Sequence, residues 1–518
     1  RPEINCISMN PFYIQSGVSP MTHIDLLKDL FNASFSFYGP MPYILEKCLY
    51  NVYKQKGWNL TLGYHPYLAN TGNMEDFFDA EYLKKNYQIN SHKYLFPTMQ
   101  DLKDEIERYI EEEMEYEGEV AGNIKTAIKA RLENLCSGSK GYMFNTHEVM
   151  NMDELMNSNT VFELEGLADD ADKAFAVGLM IIFINEYRQI CGRRPKDASP
   201  LAHLLVIEEA HRLLKNTNTE RISEDMGNPK GKAVEHFTNM IAEMRSYGQG
   251  VIVAEQIPSK LAPDVIKNSS NKIVQRLVAG DDQAIMANTI GIDVKDALQL
   301  GVLKTGEALC HKEGMARPVS VGIIPTEDVM VTDGMLYNGN ANERIRRINM
   351  SILNEAVGNQ LLELTMKLVN SLLMQNRYQV SATIDICRDE IKKIYLRSGS
   401  SLVKSGQEKD LQTELIVRKM EMFLMCGVYR VKRLVSNELE NELTAVVNYP
   451  SESHLELLRN LLKKAYDDDP VYKGRHFVEM LVVNQYYEGM NIRETVKNYF
   501  AVPDDENVDA ILTLMREG

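Results

Sequence analysis

The chain has 518 residues, of which 44% are hydrophobic and 25% charged. This composition is typical of a globular protein of two or three domains and argues against a fibrous or disordered one. The formal net charge of −16 excludes a generally basic, nucleic-acid-coating surface, although it leaves room for a locally basic channel. The seven cysteines are scattered and never in CxxC spacing. Since the sequence also shows no signal peptide and no apolar run of membrane length, we expect a reduced, cytoplasmic protein that does not enter a membrane.

Three regions differ in pattern. Residues 1–140 open with a strand-like run ending at Asn10-Pro11-Phe12 and are then mostly helical, residues 141–325 alternate short β-rich runs with helical ones, and residues 326–518 are nearly all helical. The alternation predicts an α/β fold with a mostly parallel sheet, carrying a helical insertion and a helical C-terminal accessory region. The expected strands are Thr160–Leu164, His203–Ile207, Gly250–Ala254, Lys272–Val278, Gly306–His311 and Pro318–Ile323. The expected helices are Ile24–Ala33, Tyr43–Lys56, an acidic pair between Met99 and Leu135, Asp172–Arg188, Ala233–Tyr247 and Asp282–Ile290.

Two adjacent acids, Glu208 and Glu209, follow the apolar run His203–Ile207. Unpaired carboxylates are costly to bury, and the carboxyl edge of an α/β sheet is where ligands bind, so the pair favours a cation or substrate site. In P-loop nucleotidases the first such acid holds Mg²⁺, usually through water, and the second can polarise the water that attacks the γ-phosphate of ATP. The alternative is that both acids cap the following helix, where acidic side chains complement the helix dipole.

A polar side chain also ends the next predicted strand. Gln256 lies just after Gly250–Ala254. An amide at the tip of a strand beside the two acids could sense the γ-phosphate or hold the attacking water. We therefore expect Gln256 to contribute to both nucleotide binding and hydrolysis.

Three blocks together resemble a known family: Leu204–Ala210, Ala242–Gly248 and Ala254–Leu261. Their sequences, LLVIEEA, AEMRSYG and AEQIPSKL, are similar to those of the HerA branch of the HerA/FtsK motor ATPases. Further short segments across residues 1–325 fit the same spacing. The resemblance implies a RecA-like core, ATP and Mg²⁺ as cofactors, and a homohexameric ring that translocates or remodels double-stranded DNA.

In such rings an arginine of one subunit reaches the γ-phosphate held by its neighbour, where a fixed cation stabilises transition-state charge. Arg245 matches the family position best, and Arg276 is a second candidate. For both, a surface or helix-capping ion pair is the alternative.

The segment Lys215–Lys232 is rich in Gly, Pro, Asn and Ser, which predicts an exposed loop. In related rings, loops in this part of the chain can face the central pore. Arg221, Lys230 and Lys232 are therefore candidates for contacts with DNA phosphates, an ordinary solvated loop being the alternative. His211, beside a helix start, is expected to be structural.

A phosphate-binding loop of the form GxxxxGKS or GxxxxGKT is absent from the sequence. The nearest string, Gly138-Ser139-Lys140-Gly141, lacks the spacing and is expected to form a turn. In the family the loop precedes the Asn-Pro-Phe segment, so we expect it to lie upstream of Arg1. The alternatives are a non-hydrolysing structural ring and a conjugation or secretion motor.

The resemblance also implies a partner. HerA-type proteins are commonly paired with a nuclease in DNA-end processing, or with a sirtuin-like or other effector in antiphage defence. The sequence favours neither.

Overall fold

The structure is a computed structural model. It describes residues 7–61 apart from positions 16, 36, 38 and 57, residue 63, and residues 93–112, 119–192, 201–217 and 228–324. Toward the C-terminus it describes residues 377–398, 408–425 and 436–467, with short pieces between 345 and 368. The helices in these ranges are α1 Pro20–Ser34, α2 Met41–Gln55, α3 Met99–Glu112, α4 Glu119–Cys136, α5 Gly138–Phe144, α6 Met152–Met156, α7 Asp170–Cys191, α8 Pro229–Glu243, α9 Pro263–Asn268, α10 Gly280–Ile290, α11 Arg377–Ser398, α12 Glu408–Met425, α13 Ser436–Asn448 and α14 Glu452–Asp467. The strands are β1 His203–Glu208, β2 Gln249–Ala254, β3 Asn271–Val274, β4 Glu307–Lys312 and β5 Val319–Gly322.

One hydrophobic core joins the N-terminal helices to the parallel strands, since its buried side chains run from Met9 to Ile266. The turn at Asn10-Pro11-Phe12 is anchored inside it. The Asn10 amide donates to the Pro97 carbonyl at 3.0 Å while its oxygen accepts the Phe12 N–H at 3.0 Å. The Tyr53 hydroxyl donates to the Phe12 carbonyl at 2.6 Å. Residues 7–12 of the predicted strand-like run therefore form no strand, since the side chains of Asn10 and Tyr53 satisfy the Phe12 N–H and carbonyl in place of a ladder partner.

The central helix of the core is α7. Asp169 caps its start by accepting the Ala171 N–H, and Gly192 ends it in the left-handed region at φ 71°. By length and composition α7 could cross a membrane, but 72% of its most apolar stretch is buried inside the protein. It therefore packs as the core helix that the apolar run predicts.

Strands β1 and β2 pair in parallel, with His203 opposite Gln249 and Glu208 opposite Ala254. Side chains alternate between the two faces of the pair. One face packs on the core through Leu205, Ile207, Val251 and Val253. The other face carries Leu204, Val206 and Ile252, which are 46%, 54% and 47% exposed. The predicted α/β class with parallel pairing is confirmed.

The strands β3, β4 and β5 form a second, antiparallel sheet in that order. It packs on α10 through a small separate core that includes Val274, Ile290 and Leu309. Strand β3 ends at Val274, four residues earlier than predicted. Beyond it the chain leaves the ladder, and the Leu277 N–H donates to the Leu300 carbonyl instead.

Two further predicted local structures are wrong. Residues 160–164 belong to no strand, because they have no ladder partner among the described residues, and Val161 is 85% exposed. The string Gly138–Gly141 is not a turn but the start of α5. Its lysine is engaged within the fold, since the Lys140 ammonium contacts Asp172 of α7 at 2.6 Å.

Candidate functional site

The carboxyl edge of the β1–β2 pair brings two chain segments together. Because the strands are parallel and in register, the residues after Glu208 and those after Ala254 emerge at the same edge. The Glu209 N–H donates to the Ala254 carbonyl at 3.1 Å. Further on, the Asn216 N–H donates to the Lys260 carbonyl and the Ala262 N–H to the Leu214 carbonyl. The acids predicted from one segment and the glutamine predicted from the other therefore lie at one site.

Glu208 ends β1 on its open face. It is exposed and shares that face with Leu204 and Val206. A carboxylate at the end of an otherwise apolar open face is free of competing partners on its own strand. It could hold a hydrated divalent cation, as predicted.

Glu209 adopts the left-handed conformation, with φ 52° and ψ 44°, and is the only non-glycine at positive φ among the described residues. This backbone costs about 1–2 kcal/mol in an L-residue. Two hydrogen bonds hold it: its N–H to Ala254, and its carbonyl, which accepts the Arg212 N–H at 3.1 Å. Strain of this kind concentrates at functional positions, where it fixes the direction of a side chain.

His211 and Glu255 lie beside Glu209. The Nδ1 atom of His211 is 2.8 Å from Oε2 of Glu255 and 3.5 Å from Oε2 of Glu209. Burial by itself would raise the pKa of Glu255, but hydrogen bonds from the Ile257 N–H and from His211 outweigh it and lower the pKa. Glu255 is therefore a carboxylate at neutral pH.

Gln256 follows β2 with an exposed side chain. Its backbone N–H and that of Ile257 donate to Oε1 of Glu255 at 2.9 and 3.1 Å. The turn is thus fixed by its backbone, which leaves the amide available to a ligand at the same edge.

The side chains at this edge can be compared with the ligands that Mg²⁺ prefers. The one group of three potential metal ligands in the described part of the chain is Glu209, His211 and Glu255. Its Glu255 oxygens and His211 Nδ1 are already engaged with each other and with backbone N–H groups. Mg²⁺ prefers oxygen ligands and keeps several waters. Glu208, an exposed carboxylate outside that group, fits it better.

Arg245 lies at the other end of the parallel pair. It sits in a short 3₁₀ helix, Met244–Tyr247, that precedes β2. Its side chain is exposed, in a shallow groove with Glu243, Ser246 and Tyr247. The structure thus does not bring Arg245 to the Glu209 of its own chain.

Arg276 is exposed in the loop between β3 and α10, not at a strand end as predicted. The first turn of α10 reaches the loop that follows Gln256, because Asp282 accepts the Ser259 N–H at 2.8 Å. Arg276 thus precedes by six residues a side chain that is bonded to the loop after Gln256.

The predicted DNA contacts are only partly described. Arg221 lies outside the described residues. Lys230 and Lys232 do not lie in a loop, because α8 begins at Pro229, where Asn228 caps it by accepting the Gly231 N–H. Lys232 is exposed and Lys230 half-buried. Both lysines are in the first turn of a helix, where the dipole adds to their positive potential.

Glu255 is not among the site residues predicted from the sequence. A signal was available, because Glu255 is an acid placed directly after an apolar strand, as Glu208 and Glu209 are. The contact of Glu255 with His211 could not be predicted from the sequence, because the two residues are 44 positions apart.

No protein-family model matches the chain. The chain is 32% identical over 123 residues to the DNA double-strand break repair helicase HerA of Sulfurisphaera tokodaii. Over this stretch the chain is homologous to HerA. The aligned part is 23% of this chain and 22% of that relative, so the chain spans about a fifth of the length of the HerA protein it matches.

The chain also shows limited similarity to several solved structures. VirB4 of Thermoanaerobacter pseudethanolicus has a TM-score of 0.43 at 17% identity, over 62% of this chain and 75% of VirB4. The bacterial conjugative coupling protein TrwB, lacking its first 70 residues, has a TM-score of 0.37 at 12% identity, over 65% and 75%. The genome packaging NTPase B204 of Sulfolobus turreted icosahedral virus 2, solved with AMP, has a TM-score of 0.23 at 16% identity, over 34% and 73%.

Proposed function

We propose that this HerA homologue is the ATPase subunit of a ring-shaped motor that acts on double-stranded DNA. The observation that carries the proposal is the edge of the β1–β2 pair, where Glu209 is held in a strained backbone at the same edge as Gln256. The HerA likeness supplies the reaction class. The domain division follows: a core over residues 1–325, with a helical insertion, and an accessory region over residues 326–518.

In the proposed reaction the Glu209 carboxylate accepts a proton from a water molecule whose oxygen attacks the γ-phosphorus of ATP. The bond from that phosphorus to the bridging oxygen breaks, and ADP leaves. Gln256 orients the water or the γ-phosphate. Mg²⁺, when bound with ATP, neutralises phosphate charge, and Glu208 would hold it through water. Arg276 is a further candidate for contact with the nucleotide.

No phosphate-binding loop occurs in residues 1–518. The proposal therefore requires another segment to supply it, and it is tested with the full-length protein. A full-length sequence without GxxxxGKS or GxxxxGKT would favour a structural ring instead.

As oligomeric state, location and partner, we propose a cytoplasmic homohexamer that works with a nuclease or an effector protein. Lys230 and Lys232, with Arg221, would meet the phosphates of DNA in the pore. Phosphate contacts by Lys and Arg make affinity fall steeply with salt. Loss of DNA affinity in a Lys230→Ala, Lys232→Ala variant, with a shallower salt dependence, would support this part.

The experiment for the central claim compares Glu209→Gln with the wild-type protein. We expect ATP turnover to fall at least about 100-fold, because the amide cannot accept the proton, while ATP binding is kept. Glu235→Gln, an exposed acid of α8, is the control and should behave as wild type. Turnover by Glu209→Gln close to the wild-type rate would exclude the assignment.

A further inference from the structure

Glu255 makes hydrogen bonds to both turns of the site, the one that follows β1 and the one that follows β2. Its Oε2 accepts the His211 backbone N–H at 3.2 Å and lies 2.8 Å from His211 Nδ1, while its Oε1 accepts the N–H groups of Gln256 and Ile257. Its side chain is only 5% exposed. One carboxylate thus makes two contacts with each turn, and it is the covalent neighbour of the residue expected to sense the γ-phosphate.

His211 continues this connection to Glu209. Its Nδ1 faces Glu255 at 2.8 Å and Glu209 at 3.5 Å. With both neighbours carboxylates, the favoured tautomer carries the proton on Nδ1, from where it is donated to Glu255 with Glu209 at its side. His211 is only 17% exposed, and Glu209 is 35% exposed, so the histidine is packed behind the carboxylate that faces solvent.

Neither strand requires the contacts of Glu255 in order to end at this edge. The N–H of Glu209 is already satisfied by Ala254, and the 3₁₀ turn from Ala210 to Arg212 makes its own hydrogen bonds. Placing a carboxylate at 5% exposure carries a desolvation cost that only its hydrogen bonds offset. A small polar side chain could accept the N–H groups of one turn. A side chain that accepts from both turns at once needs two acceptor oxygens.

We propose that Glu255 and His211 form a positioning pair that couples Gln256 to Glu209. A displacement of the Gln256 turn by a bound γ-phosphate would be carried by Oε1 and Oε2 of Glu255 to His211, and from its Nδ1 to the carboxylate of Glu209. Neither residue touches the reacting atoms. The inference rests on the proposed ATPase function and adds to it two residues, Glu255 and His211, that have no predicted part in hydrolysis.

The test uses the full-length protein and three variants. His211→Ala removes the bridge. His211→Asn keeps a side-chain N–H near the position of Nδ1, and Glu255→Gln keeps the oxygen that serves Gln256 but replaces the one facing His211 with a donor. The measurements are kcat and KM for ATP, with the thermal midpoint of unfolding as a check that each variant is folded.

We expect His211→Ala to lower kcat about 10-fold or more, as loss of a supporting hydrogen bond does elsewhere, with KM for ATP changed less than about twofold. His211→Asn should recover most of kcat. Glu255→Gln should lower kcat, and the double variant His211→Ala, Glu255→Gln should lose no more than the worse single variant, because the pair acts as a unit.

Unchanged kcat in folded His211→Ala and Glu255→Gln proteins, or additive losses in the double variant, would overturn the coupling. So would a loss that His211→Asn fails to recover. A wild-type protein that hydrolyses no ATP, or an active Glu209→Gln protein, would instead overturn the proposed function itself, so the two failures can be told apart.

Discussion

Arg245 and Glu209 lie at opposite ends of the same parallel strand pair. Arg245 precedes the first residue of β2 by four positions, and Glu209 directly follows the last residue of β1. The two strands run in parallel and pair along their whole length, from His203 opposite Gln249 to Glu208 opposite Ala254. At about 3.3 Å per residue, the strands alone separate the two positions by about 17 Å. An extended arginine side chain cannot bridge this distance to a nucleotide held at Glu209. If Arg245 takes part in hydrolysis, it does so at the site of a neighbouring subunit.

Arg245→Ala is therefore expected to lower ATP turnover at least about 10-fold, because an arginine supplied across an interface can contribute 10³-fold or more. Arg245→Lys should not recover it, since an ammonium lacks the planar fork of donors. Ser246→Ala, in the same exposed 3₁₀ helix, is the matched control. The measurement is steady-state hydrolysis by the assembled protein.

Mixing subunits shows on which chain Arg245 acts. Glu209→Gln and Arg245→Ala proteins, each with lowered turnover alone, should regain turnover when mixed, because some interfaces then combine an intact Glu209 with an intact neighbouring Arg245. No recovery from demonstrably mixed assemblies would count against action across the interface.

Gly141 is expected to be required for the join between α4 and α5. A Cβ at this position would lie 2.1 Å from the carbonyl oxygen of Cys136, a backbone atom that cannot move alone. Gly141→Ala should lower the free energy of unfolding by about 1–3 kcal/mol, the usual cost of forcing extra atoms into a packed site. Urea denaturation measures it.

Gly122 provides the comparison. It lies inside α4 and is exposed, and a Cβ there would meet no atom within 4 Å. Gly122→Ala should raise the free energy of unfolding by about 0.5–1 kcal/mol, because alanine loses less conformational entropy in a helix. Equal changes in the free energy of unfolding for the two substitutions would show that a clash with the Cys136 carbonyl does not destabilise Gly141→Ala.

His147 should make the protein less stable in mild acid. Burial of its imidazole, together with the nearby ammonium of Lys56, lowers its pKa to about 3, whereas an unfolded chain has a histidine pKa of about 6.5. Below pH 6.5 the unfolded state binds a proton that the folded state does not, so the free energy of unfolding falls as the pH falls. The contribution is complete above the unfolded pKa and is lost progressively toward pH 3.

Between pH 7 and pH 5 this histidine should cost the fold about 1–2 kcal/mol. His147→Gln cannot take up a proton, so its free energy of unfolding should decline less over the same interval in urea titrations. The difference between the two proteins isolates His147 from other titrating groups. Parallel declines would show that His147 does not contribute.

The strands that carry the site could be predicted because their signal is local. A short apolar run followed at once by acids marks both the strand and its functional end, which located Glu208 and Glu209 and, after the next run, Gln256. The motif blocks around these residues likewise predicted the resemblance to HerA, which the alignment over 123 residues confirms. The same local reasoning failed at residues 160–164, where β propensity predicted a strand but no partner strand is available in the described structure. It failed at Gly138–Gly141 as well, where glycine content suggested a turn and helical hydrogen bonds prevailed.

The amino-acid sequence by itself thus determined which acidic and amide side chains stand at the ends of the two parallel strands and which known family the surrounding motifs resemble. Only the tertiary structure decided how they relate: that the parallel register brings Glu209 and Gln256 to one edge, that Arg245 lies at the other, and that Glu255 joins His211 across 44 residues. The physical reason is that hydrophobic periodicity and turn preferences act over a few residues, whereas register and contacts between distant segments depend on how the whole core packs.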